Sequence, residues 1–255
     1  MVQIHGVPAF EDNYLWVIED GVHAAVVDPG DEAPLAEFLD RRGLVLTAIL
    51  ATHHHGDHVG GLEALAARGG VEVFGPGRER IAGLTRPLSG GERITVPGLG
   101  IALEVLSVPG HTAGHLAYAG DGFVFCGDTL FAGGCGRLFE GTAAQMAASL
   151  DRLASLPSDT LVYCAHEYTL ANLRFARAVE PGNARLAERF LADGERRSRG
   201  EPTVPSTIAL ERETNPFLRA HVPEVAASAA RHAGRPLASP LEVFAAVREW
   251  KNGYR

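Results

Sequence analysis

Cysteine is scarce in this sequence. The three present, Cys126, Cys135 and Cys164, are odd in number, widely spaced and free of any CxxC pair, which argues against a disulfide framework and against a zinc ribbon. Buried, reduced thiols beside strands are expected instead. Positive charge is the minority sign: 23 Lys and Arg stand against 31 Asp and Glu, a net charge of -8. No general basic surface is left for a polyanion, and nucleic acid is not expected as a partner. Long apolar runs are also missing. No window approaches a membrane-spanning length, and the opening MVQIHGVPAFEDNYLWVIEDG has neither a basic n-region nor an apolar stretch of signal-peptide length. A cytoplasmic protein without a membrane partner is expected.

What remains is ordinary globular composition, 46% apolar and 21% charged, which argues against disorder. A chain of 255 residues sits near the length at which one core gives way to two domains, so a large domain with a smaller appendix is expected. The runs YLWVIED, HAAVVDPG, LTAILATH, VEVFGP, IALEVLSVPG, GFVFCGD and TLVYCAHE each end in a Gly, Pro, Asp or His turn and read as strands. Between them EAPLAEFLDRRG, GGLEALAARGG and GTAAQMAASLDRLASLP read as helices, the last with Thr142 as N-cap and Pro157 as stop. This is an α/β pattern with helices covering sheets. From about Tyr168 the strand runs vanish, and LANLRFARAVE, NARLAERFLADGERRSRG and PLEVFAAVREWKNGYR read as helices around a proline-interrupted stretch, GEPTVPSTIALERETNPFLRA. A catalytic domain over 1-167 and a helical substrate-binding domain over 168-255 are expected.

The sharpest local feature is THHHGDH, residues 52 to 58, at the end of the apolar run LTAILA. Residues two apart on an extended chain point the same way, so His53 and His55 share a face that His54 does not. Gly56 permits a turn that adds Asp57 and His58 and opens a helix beginning VGGLEALAA. Three more ligand types sit just past strands: His111 after IALEVLSVPG, Asp128 after GFVFCG and His166 after TLVYCA. Seven nitrogen and oxygen ligands without a thiolate exceed what a structural zinc needs. They suit two cations about 3.5 to 4 Å apart that share a carboxylate and a water, the water being the nucleophile. Such ligands accept zinc, iron or manganese alike.

THHHGDH, PGHTAGH with His111, CGDTLF with Asp128 and AHEYT with His166 together resemble the metallo-β-lactamase superfamily and, within it, the glyoxalase II family. The likeness extends to FAGGCGRLFEGT, residues 131 to 142, and NPFLR, residues 215 to 219. It implies a four-layer αββα sandwich with a C-terminal helical domain. His53, His55 and His111 would hold one metal, Asp57, His58 and His166 a second, with Asp128 bridging. Asp57 and Asp128 would carry catalysis through the hydroxide held between the ions, zinc being the first expectation. His115 has no ligand role in that pattern and is expected to make a structural hydrogen bond.

The same resemblance implies hydrolysis of S-(2-hydroxyacyl)glutathione thioesters, typically S-D-lactoylglutathione, to D-lactate and glutathione. A peptide with two carboxylates calls for cations at the mouth of the site. Arg137 stands where other members carry Lys, and Arg248 and Lys251 share one face of the last helix, matching a basic pair that holds the glycine carboxylate. Without the resemblance, such a pair reads as solvated charge favouring a helix dipole. Tyr168 would give a hydroxyl hydrogen bond and Asn172 would line the pocket, while Phe139 replaces a Tyr found in some members. A monomer is expected. The competing expectations are a persulfide dioxygenase, a lactonase or a β-lactamase on the same scaffold, and, further off, a non-catalytic metal-binding module.

Overall fold

The computed structural model describes residues 2–254. Contacts divide the chain into two units, Met1–Ser107 with Ala113–Gly127, and Val108–Thr112 with Asp128–Arg255. Each is described by itself.

The first unit opens with strands β1 (Gln3–Ala9), β2 (Asn13–Glu19) and β3 (His23–Val27), followed by helix α1 (Glu32–Arg42), β4 (Val45–Leu50), the short helices α2 (Gly56–Val59) and α3 (Leu62–Ala66), then β5 (Glu72–Pro76) and β6 (Arg86–Leu88). These strands form one six-stranded sheet in the order β1-β2-β3-β4-β5-β6. β1, β2 and β3 pair antiparallel, whereas β3 to β6 pair parallel. The parallel strands are the near-continuous apolar runs HAAVV and TAIL, as strands covered on both faces require. Helix α1 starts at Asp31, whose side chain accepts from the Ala33 amide, and stops at Gly43 in the left-handed conformation. Leu35 and Leu39, one turn apart, join Leu62 and Leu65 of α3 in packing on this sheet with Val17, Val26 and Ile49.

Strands β7 (Arg93–Thr95), β8 (Ala102–Ser107), β9 (Leu116–Gly120) and β10 (Phe123–Gly127) follow as an antiparallel set. Two hydrogen bonds tie them to β4 and its exit: the wholly buried Tyr118 hydroxyl donates to the Ala51 carbonyl at 2.7 Å, and Thr47 Oγ1 to the Pro97 carbonyl at 2.6 Å. The end of β4, from which THHHGDH departs, is thereby fixed.

In the second unit β11 (Leu130–Phe131) and β12 (Gly134–Cys135) form a small antiparallel ladder. Then come α4 (Ala143–Ala154), β13 (Leu161–Cys164), α5 (Thr169–Val179), α6 (Ala184–Ser198), β14 (Ser206–Thr207), α7 (Ile208–Thr214), α8 (Pro223–Ala233) and α9 (Pro240–Gly253). Thr142 and Gln145 close a reciprocal capping box at the start of α4. Leu173, Ala176 and Leu186 pack α5 on α6. The rings of Phe175, Phe217 and Phe244 join α5, the NPFLR turn and α9.

Three local expectations change. The single helix expected from VGGLEALAA is split into α2, which already starts at Gly56, and α3, the Gly61 amide donating to the Pro29 carbonyl at 2.8 Å instead of continuing the helical ladder. Helix α7 occupies part of the proline-interrupted stretch, with Thr207 capping it through the Leu210 amide. Helix α8 was not among the expected helices, although Pro223 in its first turn and Gly234 at its left-handed end are ordinary boundary signals. The three cysteines are free and buried. No helix among the described residues is long and apolar enough to cross a membrane.

Candidate metal centre

In the first unit the imidazoles of the THHHGDH segment crowd together. The His53 ring centroid lies 4.7 Å from that of His55 and 4.0 Å from that of His58, and His53 Nε2 approaches His55 Nδ1 at 3.1 Å. His53 and His58 are wholly buried. Protonated rings at these separations would repel strongly, so the cluster suits neutral imidazoles offering lone pairs. His54 bonds instead to Glu79, its Nδ1 lying 2.8 Å from Oε2. Asp57 accepts from Asn13 Nδ2 at 3.1 Å.

Asp28, which no sequence pattern singled out, organises this cluster. Its Oδ1 accepts the Thr52 amide at 2.7 Å, and its Oδ2 accepts the Thr52 hydroxyl at 2.8 Å and His58 Nδ1 at 3.0 Å. A carboxylate only accepts, so the His58 proton sits on Nδ1 and Nε2 carries the lone pair. Asp28 does this from a left-handed backbone, φ +52°. Two residues on, a Cβ at Gly30 would collide with the Asp57 carbonyl, so the DPG turn is shaped to the THHHGDH segment. His115 stacks on His53 with centroids 4.6 Å apart, and its Nδ1 donates to the Leu116 carbonyl at 3.0 Å, which is the structural hydrogen bond expected of it.

In the second unit one carboxylate meets two imidazoles. Asp128 Oδ2 lies 3.4 Å from His111 Nε2, and Asp128 Oδ1 lies 3.3 Å from His166 Nε2. His111 Nδ1 donates to the Arg137 carbonyl at 2.9 Å, which leaves Nε2 as its lone-pair nitrogen. A carboxylate with one oxygen toward each of two imidazole nitrogens has the form of a bridging ligand. The donor chemistry of both units, imidazole and carboxylate with ring tautomers locked from behind, fits divalent cations.

A cavity of about 430 Å³ in the second unit is lined by His111 and Asp128 together with Arg137, Tyr168, Arg248 and Lys251. Asn172 and the exposed Phe139 also line it. Arg248 is not the solvated helix-end cation that its position suggests: it is 4% exposed, and NH1 donates to the Cys135 carbonyl at 2.8 Å while NH2 donates to Asn252 Oδ1 at 3.2 Å. Lys251 is half-buried and donates to the Ala171 carbonyl at 3.2 Å. Burial, with Arg248, Arg174 and Arg137 nearby, brings its amine down to about 8. The loop 131–136 is fixed from α7: the Gly133 amide donates to Glu211 Oε2 at 2.8 Å, and Asn215 Nδ2 to the Gly134 carbonyl at 2.9 Å. Glu211, buried and paired with Arg189 at 2.7 Å, went unnoticed in the sequence, whereas Asn215 belongs to NPFLR.

Residues 10–166 match the model of the metallo-β-lactamase superfamily, and residues 167–254 match that of the hydroxyacylglutathione hydrolase C-terminus. A hydroxyacylglutathione hydrolase of Alkalilimnicola ehrlichii is 56% identical over 254 residues, covering 99% of both chains. The chain belongs to the hydroxyacylglutathione hydrolase family. Among solved structures, ETHE1 from Myxococcus xanthus aligns with a TM-score of 0.66 at 25% identity over 98% of each chain. TTHA1623 in a di-iron-bound form aligns with a TM-score of 0.60 at 28% identity, covering 85% of this chain and 100% of that one. The architecture is the metallo-β-lactamase fold, α/β with mixed sheets and helices, extended by a C-terminal helical region. Membership of the hydroxyacylglutathione hydrolase family implies a dinuclear centre of His and Asp ligands, the residue types that each unit gathers.

Proposed function

We propose that the chain hydrolyses S-(2-hydroxyacyl)glutathione thioesters, S-D-lactoylglutathione foremost, to a 2-hydroxy acid and glutathione, the second step of methylglyoxal detoxification. The observation that carries this reading is the full-length identity of 56% with a protein named hydroxyacylglutathione hydrolase. The functional division runs between a catalytic part over 1-167 and a substrate-binding part over 168-255, in line with the two family matches.

His53, His55 and His111 would hold one ion, and Asp57, His58 and His166 the other, with Asp128 common to both sets. The assignment rests on family membership and on the locked tautomers of His58 and His111. Divalent cations held there, zinc first with iron or manganese as alternatives, would supply a water activated near neutral pH and a Lewis acid for the thioester carbonyl. The remaining work belongs to the chain. Arg137 and Lys251 place positive charge in the cavity for the two carboxylates of the glutathione peptide. Arg248 holds the Cys135 carbonyl and so shapes the cavity while reinforcing its field. The Tyr168 hydroxyl donates to the tripeptide backbone. Phe139, standing in the place of a tyrosine, offers no hydroxyl. The departing thiolate needs little acid assistance, which fits a cavity whose charged lining groups are cations beside the ligands. A cytoplasmic monomer acting on a small molecule completes the reading, in keeping with three buried free cysteines.

One preparation assayed against S-D-lactoylglutathione, glutathione persulfide, a lactone and a β-lactam tests the substrate class. The thioester is expected to be turned over with the highest kcat/KM. A preference for any of the other three would replace the proposal with that activity.

A further inference from the structure

Glu79 follows β5, outside the ligand set, and its side chain is only 4% exposed. Three donors converge on its carboxylate. The His54 amide donates to Oε2 at 2.7 Å, His54 Nδ1 to the same oxygen at 2.8 Å, and the Gly114 amide to Oε1 at 2.9 Å. These partners lie 25 and 35 residues away along the chain. A buried carboxylate needs donors wherever it lies, but these two peptide groups are particular ones. His54 sits between His53 and His55, and Gly114 precedes His115, whose ring stacks on His53. The backbone at Gly114 passes so near that an added Cβ would stand 2.7 Å from Glu79 Cγ.

We propose that Glu79 is a positioning residue of the metal centre, clamping the THHHGDH segment to the HTAGH turn; this rests on the ligand assignment above. One oxygen holds the amide between two ligand histidines and draws the His54 ring away from their side of the chain. The other holds the segment that carries His115 against the back of His53. The pitch of residues 53–55 and the backing of His53 are thus set by a single side chain that touches neither substrate nor ion. Outer groups that orient ligands in this way change metal affinity roughly 10- to 100-fold when removed. Glu79 does not line the cavity of the second unit, so its replacement is expected to leave KM nearly unchanged.

Glu79→Gln and Glu79→Ala test the proposal by zinc affinity in chelator competition, by kcat and KM, and by the Tm of the metal-free protein. Gln is isosteric and keeps one accepting oxygen, but it turns an NH2 toward the remaining donor. Zinc affinity is expected to fall about 10- to 100-fold in the Ala variant and by a smaller factor in the Gln variant, with lower kcat at subsaturating zinc and KM within about twofold of wild type. Zinc affinity and kcat equal to wild type in the Gln variant, with or without a lower Tm, would overturn the proposal and leave Glu79 a structural residue. Should the Ala variant fail to fold, the Gln result decides alone. A wild-type protein that binds none of zinc, iron and manganese overturns this proposal and the ligand assignment together. An active wild type with two zinc ions beside an unaffected Gln variant overturns only the role of Glu79.

Discussion

The phenol ring of Tyr168 lies flat on the imidazole of His166, centroids 4.6 Å apart and planes 2° apart. Under the proposed function the tyrosine would have two separable uses, a ring that backs a candidate ligand and a hydroxyl for substrate.

Tyr168→Phe keeps the stack and removes the hydroxyl, so KM for S-D-lactoylglutathione is expected to rise about fivefold, the equivalent of ~1 kcal/mol, with zinc affinity unchanged. Tyr168→Ala also loses a ring pair of about 0.5–1.5 kcal/mol, which weakens zinc binding roughly two- to tenfold. Chelator competition on both variants separates the uses; equal zinc affinity in the Ala variant would remove the backing role.

Arg248 and Lys251 share a helix face but are expected to fail differently. Arg248→Ala strips the donor from the buried Cys135 carbonyl and should cost about 1–3 kcal/mol of stability in urea unfolding. Lys251→Ala should leave stability undiminished and raise KM roughly ten- to a hundredfold, for the loss of a charge-assisted contact of about 1.5–3 kcal/mol. A stable Arg248→Ala variant would contradict the carbonyl-holding role.

The amine of Lys251, brought down to about 8 by burial and by Arg248, Arg174 and Arg137, gives the site a pH signature. The group is charged below that value and neutral above it, whereas an ordinary lysine stays charged to about 10.5. Affinity for a carboxylate is therefore fully present below pH 8 and lost as pH rises through it. The KM profile of the wild type should climb above pH 8, and that limb should vanish in Lys251→Ala. Identical profiles for the two proteins would show that the climb has another origin.

Much of this candidate site was readable in the sequence because its candidate ligands follow strands that are themselves easy to see. HAAVV, TAIL and VEVFG are nearly continuous apolar runs bounded by turn residues, and HxHxDH spacing is uncommon outside metal sites. The weaker elements lacked such marks. β1 mixes Gly and Pro into a largely exposed strand, and β6 and β7 are three residues each, too short for periodicity to register. The helix broken after Gly60 shows the same limit from the other side, since the hydrogen bond from the Gly61 amide to the Pro29 carbonyl is a tertiary fact. The supporting residues were hidden for that reason too: Asp28 meets Thr52 across 24 positions, Asn13 meets Asp57 across 44 and Glu211 meets Gly133 across 78. Nothing beside them in the chain announces these partners. Arg248 was seen, but its burial was not, because a helix-end arginine looks alike in sequence whether it is solvated or holds a carbonyl.

Asp28 offers a direct check on that hidden layer. Asn tolerates the left-handed backbone that Asp28 adopts, so Asp28→Asn should fold while losing the charge behind His58 Nδ1. Zinc affinity is expected to fall about 10- to 100-fold. An unchanged affinity would mean that the His58 tautomer is set by something other than Asp28.

The most direct test of the whole account is steady-state release of glutathione from S-D-lactoylglutathione by protein of known metal content, from metal-free to fully loaded. Activity is expected to be negligible in metal-free protein and to rise to a plateau at two ions per chain. Asp128→Ala should bind fewer ions and lose on the order of 100-fold in kcat. Full activity without metal, or two bound ions with no thioester hydrolysis, would contradict it.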